Sequence, residues 1–267
     1  MFMVRLRSSV IVMTLTILLV VLGGDVLFTA MGIISLIGMT ELYRIVKINK
    51  TLLGILGYLA GISYYLILYF DLMEHAVMLF ILFLLLLMML YVLQFPKYNT
   101  EQAAIAFLGL FYVSVMLSYI YQVRILEDGA WLVWLIFIGA WGSDTCAYLV
   151  GILIGKHKVT PKLSPKKSLE GCIGGVLGAA LIGFLYATAV RSYLTGIDHP
   201  QLLFAVIGAA SSVLSQIGDL AASAIKRDHE IKDYGKLIPG HGGILDRFDS
   251  IIFTAPIVYY LTVMLCS

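Results

Sequence analysis

Apolar residues fall along the chain in nine blocks separated by short polar breaks: 10–22, 26–43, 52–70, 76–95, 103–123, 131–154, 172–190, 202–225 and 248–265. A helix needs about 20 mostly apolar residues to cross ~30 Å of hydrocarbon, and every block but the first approaches that length. None shows the polar/apolar alternation of a membrane β-barrel strand. The pattern predicts an all-α, polytopic transmembrane bundle of about nine spans. Composition agrees: 61% of the 267 residues are hydrophobic and 13% charged, against about 25% charged in a soluble domain.

The net charge of +2 matters less than where the charges sit. With nine spans and a cytoplasmic N-terminus, the cytoplasmic segments hold Arg5 and Arg7, then Arg44, Lys47 and Lys50, then Lys97. They also hold Lys156, Lys158, Lys162, Lys166 and Lys167, and finally Lys226, Arg227, Lys232, Lys236 and Arg247. Of the 18 basic residues, Arg124 and Arg191 alone fall outside. The positive-inside rule reads this as N-in and C-out, and a different span count would scramble the alternation. The N-terminus has the basic-then-apolar order of a signal peptide, but Gly23, Gly24 and Asp25 match a cleavage site poorly, so an uncleaved first span is expected. Cys146, Cys172 and Cys266 have no metal-ligand spacing and read as filler in apolar helices.

Residues 1–130 are nearly pure span and short loop and read as scaffold. From residue 131 polar residues enter the spans, and two long polar loops appear, 155–171 and 226–243. Residues 131–267 therefore read as the catalytic region, since polar loops between membrane helices are candidates for function. The Gly171/Gly175 and Gly174/Gly178 pairs open the seventh block at the spacing that lets helices approach closely.

Four carboxylates lie in or at the ends of apolar blocks: Asp144, Asp219, Asp246 and Asp249. An Asp at mid-bilayer costs ~2.5–3.5 kcal/mol on insertion scales. The topology puts all four toward the cytoplasmic half. Asp246 and Asp249 share a helix face, and Ser215 and Ser223 lie four residues either side of Asp219. Several carboxylates near hydroxyls suit Mg²⁺, which takes a few carboxylates together with substrate phosphates and water, with a second cation left open. Asp246 and Asp249 could instead cap the last helix, and for Asp249 alone both readings stand. Capping does not account for Asp144 and Asp219. Nearby, Lys226, Arg227, Lys232, Lys236 and Arg247 surround the turn Pro239-Gly240-His241-Gly242-Gly243, whose glycines can direct backbone N–H groups at an anion. The first loop adds Lys162, Lys166 and Lys167 beside Ser164 and Ser168. Lysines alone are explained by topology; a Gly-rich turn between a basic run and Asp246-Arg247-x-Asp249 fits a polyphosphate with its metal.

The run Ser223-x-Ile225-Lys226-Arg227-x₄-Lys232-Asp233-x-Gly235-x₂-Ile238-Pro239-x-His241-Gly242-Gly243-Ile244-x-Asp246-Arg247-Phe248-Asp249 resembles the signature of phosphatidate cytidylyltransferases. Two upstream segments are also similar to that family: Asp144-Thr145-x-Ala147-Tyr148-x₂-Gly151, and Leu163-Ser164-Pro165-Lys166-Lys167-Ser168-x-Glu170-Gly171. The resemblance covers about residues 140–250. It implies transfer of the cytidylyl group of CTP to phosphatidate, giving CDP-diacylglycerol and pyrophosphate for phospholipid synthesis, with Mg²⁺. It also implies a bacterial cytoplasmic-membrane enzyme with its site facing the cytoplasm, working as a homodimer in the lipid bilayer, and no nucleic-acid partner is expected. Asp144, Asp219, Asp246 and Asp249 are then the catalytic, metal-holding acids. Ser164, Lys166, Lys167, Ser223, Lys226, Arg227, Lys232, His241, Gly242, Gly243 and Arg247 are the substrate-binding set. A lipid-alcohol kinase or archaeal-lipid cytidylyltransferase resembles the family in part. A transporter would string polar residues along a continuous pore, whereas here they cluster toward one face, and a structural scaffold leaves the His-Gly-Gly turn without a reason.

Overall fold

The computed structural model describes residues 2–161, 163–195 and 197–266, with side chains over 7–161, 163–195 and 197–265. Lys162, the Arg5 side chain and the Cys266 side chain lie outside the described residues. Among those described, nine long helices account for nearly all of the chain: α1 Phe2–Leu22, α2 Gly24–Ile45, α3 Leu52–Tyr69, α4 Ala76–Leu93, α5 Thr100–Arg124, α6 Gly129–Ile154, α7 Leu169–Val190, α8 Pro200–Asp228 and α9 Leu245–Cys266. Two short strands, β1 Lys158–Thr160 and β2 Ser164–Ser168, pair antiparallel in the loop between α6 and α7. The protein is a multi-pass helical membrane bundle.

The apolar blocks and the helices coincide because a backbone in hydrocarbon must satisfy its own N–H and C=O groups, which a helix does within one segment. Eight helices, α2 to α9, are long and apolar enough to span. The first expected span is a helix too, of 21 residues, Phe2–Leu22; at 1.5 Å per residue it reaches roughly 31 Å. It runs the length of the bundle. The Ser8 hydroxyl donates to the Pro239 carbonyl (2.9 Å) at one end, and at the other the Arg124 guanidinium donates to the Val20 carbonyl (3.0 Å). Arg124, one of the two basic residues outside the charge pattern, thus closes the carbonyl end of α1.

Several of the basic segments meet at one end. Gln102 donates to the Val46 carbonyl (2.9 Å), Glu101 lies 3.6 Å from His229, and α1 reaches the 226–243 loop through Ser8. The core is built where α2, α5, α6 and α9 face one another, with Leu27, Met39, Leu42, Leu110, Val113, Leu117, Leu135, Ile136, Ile251 and Ile252 buried. Small residues bring the remaining helices backbone-close. A Cβ on Gly175 would lie 3.1 Å from the Ala147 Cβ and the Ser143 carbonyl, and one on Gly171 2.8 Å from the Ala147 carbonyl, so α7 packs on α6 as the glycine spacing predicts. Cys146 sits against Gly178 in the same seam. The Ser143 and Ser212 hydroxyls are hydrogen-bonded (2.7 Å), tying α6 to α8. These contacts hold three polar-bearing helices side by side.

Candidate active site

The helix that carries Asp144 is not a regular α-helix. A π-helical stretch, Ile138–Gly142, precedes Ser143. A π turn holds more residues than an α turn and so rotates the rest of the helix about its axis, and such stretches are common at functional sites. Asp144 emerges exposed into a cavity of about 520 Å³ that it shares with Tyr148, Lys158, Lys166, Lys167, Ser168 and Gln216. The β1–β2 hairpin forms one wall. The Ser168 hydroxyl ends the hairpin by accepting from the Gly171 N–H (3.2 Å), which caps α7. The hairpin thereby fixes Lys167, whose Nζ lies 2.6 Å from Asp219 Oδ2 on α8 and donates to the Gln216 carbonyl (3.4 Å). Ser164 lies in β2, paired with Thr160, and does not line this cavity.

α8 and α9 cross where the acids lie. A Cβ on Gly218 would stand 2.7 Å from the Asp249 carbonyl, so glycine is what lets Asp219 come beside Asp249. Asp219 is within electrostatic reach of both Asp144 and Asp249, Arg247 reaches those same two, and Lys226 reaches Asp249. Asp249 Oδ1 accepts from the Ser250 N–H (2.8 Å).

Asp246 is buried, with 5% of its surface exposed, and both its oxygens are engaged. Oδ1 accepts from Lys226 Nζ (2.8 Å); Oδ2 accepts from the N–H groups of Tyr234 (2.8 Å) and Gly243 (2.9 Å). Charge-assisted hydrogen bonds of this kind are about twice as strong as neutral ones. One N–H of the Gly-rich turn, that of Gly243, points at an anion, and that anion is the protein's own Asp246. Gly242 has φ +86° and a Cβ there would lie 2.6 Å from Asp246 Oδ2, so both the backbone and the space require glycine. The turn closes through Ile238 N–H to the Gly242 carbonyl (2.8 Å) and His241 N–H to the Ile238 carbonyl (2.9 Å). Tyr234 braces it: its hydroxyl donates to the Ala222 carbonyl (3.1 Å), and Lys226 Nζ stands 5.3 Å from the ring centroid. Burial, with Tyr112, Asp246 and Asp249 adding to it, holds the Tyr234 phenol well above its ordinary range, so it stays a neutral donor.

A second cavity, about 580 Å³, opens beyond the turn and is lined by Lys232, Lys236, His241, Gly242 and Arg247. Arg227 lies exposed at the end of α8, and Ser223, half-buried, one turn before it. The structure therefore brings Asp144, Lys166 and Lys167 together around one cavity, with Asp219 paired to Lys167 at its edge and Asp249 within electrostatic reach of Asp219. It gathers Lys232, His241, Gly242 and Arg247 around the other, with Asp246 and Lys226 between. It leaves Arg227, Ser223 and Ser164 at the periphery.

A sequence model of the cytidylyltransferase family matches residues 3–265. The chain belongs to that family. It is 30% identical to the phosphatidate cytidylyltransferase of Staphylococcus haemolyticus over 98% of this chain and 99% of that one. It is 33% identical to the phosphatidate cytidylyltransferase of Synechocystis sp. over 98% and 96%, and 30% identical to that of Staphylococcus epidermidis over 97% and 98%.

For a cytidylyltransferase the acids must also accommodate a hard cation, and their chemistry fits one. Asp219 stands within electrostatic reach of both Asp144 and Asp249, which come from two other helices. The Ser215 hydroxyl, one turn before Asp219, is buried and has no hydrogen-bond partner among the described residues, which leaves an oxygen over. The four aspartates nonetheless do not gather as a closed cage: Asp219 turns to Lys167, Asp246 to Lys226 and Asp249 to its own helix. Among the described residues, ligating atoms within 4.8 Å of one another are found instead at Glu101, Asp228 and His229, where α5 begins and α8 ends.

The residue that reading by pattern misses in this cytidylyltransferase is Glu41. It comes from α2, in the half read as scaffold, and is 3% exposed. Its Oε1 accepts from the Ile244 N–H (3.0 Å) and its Oε2 from the Leu245 N–H (2.9 Å), so it caps α9 just ahead of Asp246 and Asp249. Gly235 and Gly243 both pack against its carboxylate. An acid inside an otherwise apolar block is the signal by which the sequence could have shown it.

Proposed function

We propose that this protein catalyses the reaction CTP plus phosphatidate giving CDP-diacylglycerol and pyrophosphate, on the cytoplasmic side of a bacterial inner membrane, with its N-terminus cytoplasmic. The observation that carries the reading is the Lys167–Asp219 contact of 2.6 Å at the rim of the 520 Å³ cavity. It sets a phosphate-binding cation beside carboxylates on two helices, Asp219 and Asp144, at the end of the bundle where the basic loops meet. The full-length similarity to three phosphatidate cytidylyltransferases supports the choice of nucleotide and acceptor. So does the positive-inside pattern for the orientation.

In this reading a phosphatidate oxygen attacks the α-phosphorus of CTP. The new bond joins that oxygen to phosphorus, the bond to the β-phosphate's bridging oxygen breaks, and the electron pair leaves with pyrophosphate. No protein nucleophile takes part. Two unit charges of one sign 4 Å apart repel by ~4 kcal/mol at an effective dielectric of 20, and both reactants carry several. Lys166 and Lys167 bind CTP phosphates, and Arg247 and Lys226 offset charge between the reactants. Asp144, Asp219 and Asp249, with the spare Ser215 hydroxyl, would hold Mg²⁺, which would supply charge neutralisation for the phosphates. Asp246 positions Lys226 and the turn beside that cation. Assembly as a homodimer in the bilayer belongs to the same reading.

The test is pyrophosphate release by the purified protein from CTP in lipid–detergent micelles, with and without phosphatidate. Release that needs both substrates and Mg²⁺ is the expected result. Release of CDP with phosphorylation of a lipid alcohol would make the protein a kinase instead.

A further inference from the structure

An apolar cleft of about 300 Å³ lies between α1, α2 and the start of α9, and the reaction as described does not use it. Leu19 of α1, Met31 and Ile34 of α2 and Phe248 of α9 form its walls. At ~30 Å³ per water-sized group, it has room for roughly ten such groups. Leu237 and Ile238 line its loop end. Ile238 also lines the 580 Å³ basin of Lys232, Lys236, His241 and Arg247, where Asp233 is the one acid among the described residues. One residue therefore borders both a hydrocarbon-like space and a net positive one. That juxtaposition selects an amphiphile with an anionic head and an extended apolar chain.

We infer that this composite site holds the lipid acceptor, with the phosphatidate phosphate among Lys232, Lys236 and Arg247 and one acyl chain beneath α1. The inference rests on the phosphatidate reading above and adds where the lipid sits. Three observations support it. Arg247 borders the basin and is also within electrostatic reach of Asp144 and Asp249, so a phosphate it binds faces the CTP side of the site. α1 turns most of its side chains outward, Val10, Ile11, Leu18 and Val21 among them, so the cleft lies one helix away from the bilayer hydrocarbon. And α1 is fastened at its ends, by Ser8 to the Pro239 carbonyl, by Ser9 to His241 Nε2 (3.0 Å) and by Arg124 to the Val20 carbonyl. Among the described residues, those fastenings leave its middle free of polar ties to the cleft, where a chain can enter sideways. α1 is then a wall of the lipid site.

The test is photolabelling of the full-length protein with a phosphatidate that carries a diazirine midway along one acyl chain, followed by peptide mapping. Labelling of α1 and α9 is expected, suppressed by excess unlabelled phosphatidate and not by phosphatidylcholine. In parallel, Ile34→Trp, which fills the cleft, should raise the KM for a long-chain phosphatidate at least tenfold. It should leave the KM for CTP within twofold. Lys236→Gln, at the rim, should raise the KM for phosphatidate as well and serves should the tryptophan variant fail to fold. Labelling confined to other helices, or equal competition by phosphatidylcholine, overturns the inference while pyrophosphate release keeps the enzymatic reading intact. Labelling of α1 and α9 without any pyrophosphate release would keep the lipid site and sink the enzymatic reading.

Discussion

Glu41→Ala would leave two buried N–H groups at the start of α9 without their acceptor. The carboxylate accepts from Ile244 and Leu245 at 3.0 and 2.9 Å, the first free donors of that helix. Each unsatisfied buried donor costs ~1–3 kcal/mol, and loss of an acid from a helix N-terminus a further ~0.3–1 kcal/mol. The sum, roughly 2–7 kcal/mol, falls on the local geometry that aims Asp246 and Asp249 and exceeds the ~1.4 kcal/mol that makes a tenfold change in a population. Glu41→Gln keeps one acceptor oxygen but turns an NH₂ toward the second N–H, so about half that penalty is expected. Glu41→Asp keeps the charge and falls short by one methylene. The ordering of kcat for pyrophosphate release should be wild type, then Gln and Asp, then Ala, with Ala down more than tenfold. Amide exchange at Ile244 and Leu245 should quicken in the same order while the variants still insert. Wild-type kcat together with unchanged exchange at those two amides in Glu41→Ala would refute the capping argument.

Asp219→Asn and Asp249→Asn should each raise the Mg²⁺ needed for half-maximal release, and the double variant should lose less than the sum, since both serve one ion; independent, additive losses in a Mg²⁺ titration would separate them. Asp246→Asn should abolish turnover without rescue by added Mg²⁺, because it unpairs Lys226 (2.8 Å) and weakens the Tyr234 and Gly243 bonds; normal activity would remove Asp246 from the site. Lys167→Gln should raise the KM for CTP severalfold, and Arg227→Gln less, since Lys167 lines the cavity and Arg227 is exposed at its periphery; equal effects would point to bulk charge. Single cysteines placed in the 155–171 and 226–243 loops should be shielded from an impermeant thiol reagent in intact cells, and one near Asp198 should react; the reverse pattern would invert the orientation.

The spans were legible because an apolar run of sufficient length in hydrocarbon has one local solution, and α2 to α9 follow the blocks closely. The close packing of α7 on α6 was legible in the glycine spacing for the same local reason. The acids were legible as a group, since each is costly where it stands. What escaped depends on contacts distant in sequence. Glu41 meets its partners 203 and 204 residues away, and nothing in its own block names them. The engagement of Asp246 by Lys226 was likewise hidden, since a basic residue 20 positions earlier looks like any other topological lysine. The β1–β2 hairpin read only as a polar loop, because its strands are three and five residues long and the longer one, Ser164–Ser168, carries lysines and a proline in place of β-formers. The π-helical stretch before Asp144 has no periodicity of its own to read.

The closure of the 238–243 turn on Asp246 has a thermodynamic consequence. Fixing a residue's backbone costs ~1–2 kcal/mol of conformational entropy. A turn that waited for an anionic substrate to gather its amides would meet that cost at every catalytic cycle, drawn from binding. Here an internal carboxylate, that of Asp246, accepts from the amides of Tyr234 and Gly243, so the ordering is completed once, when the chain folds, and under the proposed function need not be drawn from substrate binding.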